Sequence, residues 1–159
     1  MSTKEIFFTA IRNGDLSSVE KLLQEDVALF STKDQRGSTP LILATYYNHL
    51  SITTFLLEKG AVIDDEDSSG NTALMGVCFK GFIEIAKLLI NSGADVNHSN
   101  SMGATCLIYA VTFNRPEITK LLLENGAKLN TKDARGNTAI QHAKMQGATD
   151  LIVLLEKYQ

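Results

Sequence analysis

The chain has 159 residues, of which 44% are hydrophobic and 21% charged, with a net charge of −3 at neutral pH. That is long enough to bury one substantial core, and the mildly acidic balance gives no global attraction to nucleic-acid phosphates. No apolar run approaches the ~20 residues of a membrane span, and the first residues fit no secretory signal. Cys78 and Cys106 match no metal or redox spacing, so two buried thiols in a reducing, cytoplasmic setting are expected.

In chain order, the first predicted unit runs from about Lys4 to Lys33 and carries Ala10, Gly14, Leu16, Val19, Leu22 and Leu23 at the positions the later units repeat. It holds one extra residue between Leu23 and Asp34, and Asp26 stands where the second unit has Gly60. The second unit opens at Asp34. Thr39 is placed as a helix N-cap and Pro40 as the first helical residue, where a missing N–H costs nothing. The third unit opens with the turn Asp67-Ser68-Ser69-Gly70, in which Asp closes a local hydrogen bond and Gly accepts a positive φ. Thr72 then caps a short helix carrying Leu74, Met75, Val77 and Cys78, predicted to end near residue 81. A second helix follows, with Ile83, Ala86, Leu88, Leu89 and Ile90 inward and Glu84 and Lys87 outward, and it stops at Gly93-Ala94. The fourth and fifth units start at Asn100 and Asp133, and Pro116 marks the start of a second helix in the fourth.

The units share one clock. Gly37, Gly70, Gly103 and Gly136 lie 33 residues apart, each with Thr two positions later, and Leu41, Leu74, Leu107 and Ile140 keep the same step. At the end of the first helix only Gly or Asn appears, at Gly14, Asn48, Gly81, Asn114 and Gly147. These are the residues that enter the left-handed region at least cost. A helix pair of this size cannot bury its apolar face alone, so a fixed period in this range means stacked neighbours.

The pattern Asp-x-x-Gly-x-Thr-(Pro/Ala)-Leu, then Gly/Asn, then Leu-Leu-x-x-Gly-Ala, resembles the ankyrin repeat. The resemblance covers nearly the whole chain. It implies an all-α ankyrin-repeat solenoid of five stacked helix-turn-helix units joined by hairpin-like fingers. Residues 1–159 would form a single domain, with units at about 4–33, 34–66, 67–99, 100–132 and 133–159, the first and last as caps. Two departures stand out. The family's frequent histidine after Thr-Pro-Leu is replaced by Ile42, Met75, Ile108 and Gln141, and its proline survives only at Pro40. Both changes predict a weaker turn network in repeats three to five.

No catalytic constellation, metal site or cofactor loop is expected. His49, His98 and His142 fall at different levels of the array and are read as surface or capping groups. The run Asp64-Asp65-Glu66-Asp67 is read as a solvated loop. The resemblance instead implies a concave face lined by fingers and first helices. At the positions where the fold demands no large apolar group, that face carries Arg12, Arg36, Tyr46, Tyr47, Phe79, Lys80, Met102, Phe113, Arg135 and Met145. Rings at the centre of such a surface are what binding hot spots are made of. The expectation is a non-catalytic protein–protein interaction module, monomeric when free, acting as adaptor, scaffold or inhibitor on a partner with acidic and apolar segments. Self-association through the same face is the alternative; a small-ligand or enzymatic role ranks below it, and neither nucleic acid nor membrane is an expected partner.

Overall fold

The computed structural model describes every residue from Met1 to Gln159 and divides into two compact units, Met1–Ala73 and Leu74–Gln159. It contains ten α-helices, one 3-10 helix and a single isolated antiparallel bridge between Ser99 and Thr105. No helix is long and apolar enough to cross a membrane.

In the first unit, α1 (Thr3–Arg12) pairs with α2 (Leu16–Glu25), and α3 (Pro40–Tyr46) pairs with α4 (Leu50–Glu58). The second pair stacks on the first through α1 with α3 and α2 with α4. Phe7, Ile11, Val19, Ile52 and Leu56 are fully buried, and each such side chain contributes about 1.5–3 kcal/mol of transfer free energy. A capping box starts α1: Ser2 Oγ accepts from the Glu5 N–H at 3.2 Å, and Glu5 Oε2 accepts from the Ser2 N–H at 2.6 Å. The extra residue of the first repeat is absorbed by a 3-10 helix, Val27–Ser31. Asp26 leaves α2 in an extended conformation, not a left-handed one, and its carboxylate accepts from the Ala28 N–H at 3.0 Å. The sequence pattern located this insertion but not its conformation.

The second unit follows the same plan with α5 (Ala73–Lys80), α6 (Ile83–Asn91), α7 (Cys106–Thr112), α8 (Pro116–Glu124), α9 (Ala139–Met145) and α10 (Thr149–Glu156). α7 packs on α8 and α9, α6 on α8, and α10 on α8 and α9. Ile85, Leu89, Leu107, Ile118, Leu122 and Leu151 are fully buried.

The capping reading holds where side chains cap. Thr39, Thr105 and Thr138 accept from the N–H groups of Ile42, Ile108 and Gln141. Gly14, Asn48, Gly81, Asn114 and Gly147 all have positive φ, between 55° and 85°, so the Gly/Asn column recorded a backbone conformation. Of the second helices, α2 is capped by Asp15, which accepts from the Ser18 N–H at 3.1 Å, and the other four start without a side-chain cap at His49, Phe82, Arg115 and Ala148.

Each finger is a closed turn. Asp34, Asp67, Asn100 and Asp133 each accept, through one side-chain oxygen, the N–H groups two and four residues on at 2.9–3.0 Å. The main chain closes over the same five residues at 2.9–3.0 Å. Contrary to the weaker network expected, the fourth and fifth fingers gain a bond. Asn100 Nδ2 donates to the Tyr109 hydroxyl at 2.8 Å, and His142 Nε2 lies 2.7 Å from Asp133 Oδ2. Both partners stand nine residues after the turn residue, a column that holds Leu43 and Gly76 in the second and third repeats. A polar side chain at this position replaces the missing family histidine.

Fingers also bond to their neighbours. The Ser68 N–H donates to the Arg36 carbonyl at 3.2 Å, and the Ala134 N–H to the Met102 carbonyl at 2.9 Å. A Cβ at Gly37 would meet Ser68, and one at Gly103 would meet the Ala134 nitrogen at 3.0 Å. Glycine is thus required there twice over, for a positive φ (76° and 71°) and for the approach of the next finger.

Candidate protein-binding face

The expected site residues sit at first-helix ends and on finger tips, and the two units present them differently. In the first unit, Tyr46 and Tyr47 end α3 with ring centroids 5.6 Å apart at an interplanar angle of 72°. Tyr46 is half-buried, and Tyr47 keeps 44% of its surface exposed. Arg12 is exposed in the last turn of α1, and its carbonyl accepts from His49 Nε2 at 2.7 Å. His49 therefore acts across repeats: its ring fills the space beside Gly14, where an added Cβ would lie 2.7 Å from it. Arg36 is exposed on its finger, and Lys33 Nζ donates to the Glu66 carbonyl at 3.0 Å.

In the second unit Phe79 and Phe113 meet edge to face, with centroids 4.6 Å apart at 89°. Tyr109 packs on Phe113 at 5.9 Å and 74°. The two phenylalanines remain 36% and 39% exposed, so each ring packs on one side and faces solvent on the other. Packing and availability for binding coexist in the same side chain. The Arg115 guanidinium fixes this arrangement by donating to the Phe79 carbonyl at 3.2 and 2.9 Å. Gln146 Nε2 does the same for the Thr112 carbonyl at 3.0 Å. Helix C-termini leave such carbonyls without intrahelical partners, and the next repeat supplies the donors.

Lys80 lies beside these rings but leans onto Phe82, with its ammonium 5.8 Å from that ring centroid. Met102 (61% exposed) and Met145 (65%) project from a finger and from the end of α9, and Arg135 is exposed on the last finger. Sequence reasoning missed Tyr109 and Arg115, and it placed Gln146 on the inner face without foreseeing its bond. Tyr109 was findable from its spacing of nine after Asn100, and Arg115 from its column, which also holds His49: each reaches the carbonyl two residues before the preceding helix-ending glycine, at Phe79 and at Arg12.

Asp133 and the two cysteines are tied into the fold. Asp133 is held below the usual carboxylate range chiefly by the Asn137 N–H, with His142 and the Arg135 N–H adding to it and burial opposing. Cys78 and Cys106 are both buried, and the thiol–thiol hydrogen bond between them, together with burial, pushes Cys78 well above the ordinary thiol range. Such a thiol is a poor nucleophile. No three His, Cys, Asp or Glu side chains converge to hold a metal.

A family model described as ankyrin repeats in three copies matches residues 7–100 and again 64–133. Segments of the Protein fem-1 homolog C of Xenopus laevis, Homo sapiens and Danio rerio are 37%, 39% and 36% identical over 62 residues. These matches cover 36% of this chain and 10% of each relative, so the chain corresponds to about a tenth of their length. Ankyrin repeats are generally protein–protein interaction modules and generally non-catalytic. With ten helices in five pairs, left-handed helix exits at every Gly/Asn column position and a repeat model matched over most of its length, the chain belongs to the ankyrin-repeat family, and its fold class is the all-α ankyrin-repeat solenoid.

Proposed function

We propose that this chain recognises a partner protein or peptide through its first-helix ends and fingers, without catalysis, as an adaptor, scaffold or inhibitor. The observation that supports this most is the exposure of Tyr47, Phe79 and Phe113 at positions where the fold itself demands no ring. Large rigid side chains of this kind bury much area at little entropic cost when a partner covers them. The contact set is Arg12, Arg36, Tyr46 and Tyr47 on the first unit and Phe79, Lys80, Met102, Phe113, Arg135 and Met145 on the second. The partner supplies apolar anchors for the rings and acidic groups for the cations, and the free chain is a cytoplasmic monomer.

The test is affinity capture from the native cell, read by mass spectrometry, with the wild-type chain and the Tyr47→Ala/Phe113→Ala variant. The expected result is a set of partners lost from the variant, while its melting temperature falls by only a few degrees, about 1 kcal/mol of lost ring packing per site. Collapse of the melting transition would show that the rings are core, and the site assignment would fail. A concentration series in sedimentation velocity addresses the self-associating alternative, which a concentration-dependent dimer would favour.

A further inference from the structure

Charge in the second unit is sorted by element. Six of its seven carboxylates, on Glu84, Asp95, Glu117, Glu124, Asp150 and Glu156, belong to the second helices or to the turn that follows α6. The seventh, Asp133, is turned into its own finger: Oδ1 accepts from the Arg135 and Asn137 N–H groups at 3.0 and 2.9 Å, and Oδ2 meets His142 at 2.7 Å. The fourth finger replaces the usual turn aspartate with neutral Asn100. The first helices and fingers of this unit therefore carry Lys132, Arg135 and Lys144 with no carboxylate free to answer them. The same elements carry the half-exposed Phe79–Phe113 pair.

From this coincidence of unanswered cations and exposed ring edges we infer that the second unit docks a short acidic segment of a partner protein, with a large apolar side chain set between its carboxylates. The inference rests on the recognition reading above and deepens it by assigning the acidic–apolar contact to the second unit and to one short segment with the apolar side chain between its carboxylates. The apolar anchor seats on the Phe79–Phe113 edges and supplies most of the affinity, because fully covered aromatic contacts dominate interface energies. The carboxylates meet Lys132 and Arg135, which are exposed and so act chiefly on association rate, salt dependence and the choice of partner. A single-stranded nucleic acid would also find rings and cations here, but the net charge of −3 opposes a polyanion that extends beyond the face. A short peptide does not meet that opposition.

The test uses the full chain and fluorescence anisotropy of labelled peptides of about ten residues, a length matched to peptide-groove recognition. One peptide alternates Asp and Glu with Phe and Leu, a second has Lys for every acid, and a third has Ser for every Phe and Leu. The acidic–apolar peptide is expected to bind at least ~10-fold tighter than either control and to weaken as salt rises. Lys132→Glu/Arg135→Glu is expected to weaken it ~10-fold or more, and Phe113→Ala similarly, whereas Lys4→Glu/Lys21→Glu, at exposed helix positions of the first unit outside the contact set, changes it less than ~2-fold. The Lys132/Arg135 variant involves exposed side chains and keeps the fold even if Phe113→Ala does not. Equal binding of the control peptides, indifference to Lys132→Glu/Arg135→Glu, or displacement by an equimolar oligothymidylate overturns the inference. So does a dimer of the free chain that the same variant dissolves, because a second copy would then occupy the face. Selection of a displayed random-peptide library on the wild-type chain separates the two levels of the argument. Neutral or basic clones that depend on Phe113 overturn the acidic class and leave recognition standing, whereas no binding clone at all overturns both.

Discussion

At its helix ends the first unit presents Tyr46 beside Tyr47 in a segment of six basic and eleven acidic residues; the second presents Phe79 against Phe113 in a segment of nine basic and seven acidic residues. Both close their fingers with the same side-chain and main-chain bonds, and both leave their first helices through left-handed Gly or Asn. The units thus share a skeleton while their net charges differ in sign. A repeat constrains the residues that cap, turn and pack, and leaves the outward positions free to diverge. Divergence at those free positions is where a partner would leave its mark.

The shared skeleton can be challenged most strongly in the core. Leu56 and Leu122 occupy the same column in the two units and both are fully buried. Leu→Ala at either is expected to cost about 2–5 kcal/mol in urea denaturation, with similar values for the two. We propose residues 1–159 as one domain, in which case each variant lowers the midpoint of a single transition. Two separated transitions, each moved by only one variant, would divide the chain energetically.

The next effect tests the finger contacts. Gly103→Ala is expected to destabilise by about 2 kcal/mol or more, because it forces a positive φ on a side chain and presses on the rigid main chain of the neighbouring finger. Gly37→Ala should cost about as much, since the Ser68 hydroxyl can rotate away but its main-chain nitrogen would still lie 2.9 Å from the new Cβ. Thermal melts of the two variants check this, and a loss at one position with none at the other would break the comparison.

A smaller effect separates the units by their turn chemistry. Tyr109→Phe removes the acceptor of Asn100 Nδ2 and should cost about 1 kcal/mol, a loss with no counterpart at Leu43 of the first unit. Asp133 adds a pH signature. Its folded pKa lies below the unfolded one, so its contribution is fully present above the ordinary carboxylate range. That contribution is lost as pH falls through the folded value. Asp133→Asn should flatten this part of the acid limb in melts recorded against pH, while Asn at the equivalent position 100 already supports the same turn bonds. The smallest effect is a gain. Thr112 Oγ1 is buried and bonds no group of the protein, so Thr112→Val should be neutral or stabilise by up to about 1 kcal/mol.

The fold was legible because its determinants are local and repeated five times. Thr39, Thr105 and Thr138 cap because a hydroxyl three residues before an N–H has one good partner. Asn48 and Asn114 adopt positive φ for the same reason that Gly stands in their column elsewhere. The candidate face was legible by subtraction, as the residues the repeat does not explain. Its geometry was not, because the rings, clamps and thiols meet partners about 28–36 residues away, and the period alone does not say which side chains of neighbouring repeats touch. The Arg115 clamp on the Phe79 carbonyl, the edge-to-face setting of Phe79 on Phe113 and the contact of Cys78 with Cys106 are of this kind. By itself, then, the sequence determined the helix pairs, their caps and the column of exposed aromatics, since each depends on neighbours within a few residues. Only the tertiary structure decided which rings touch, which cations are left unanswered and which glycines must yield space to the next finger, because those outcomes depend on how one repeat stacks against another.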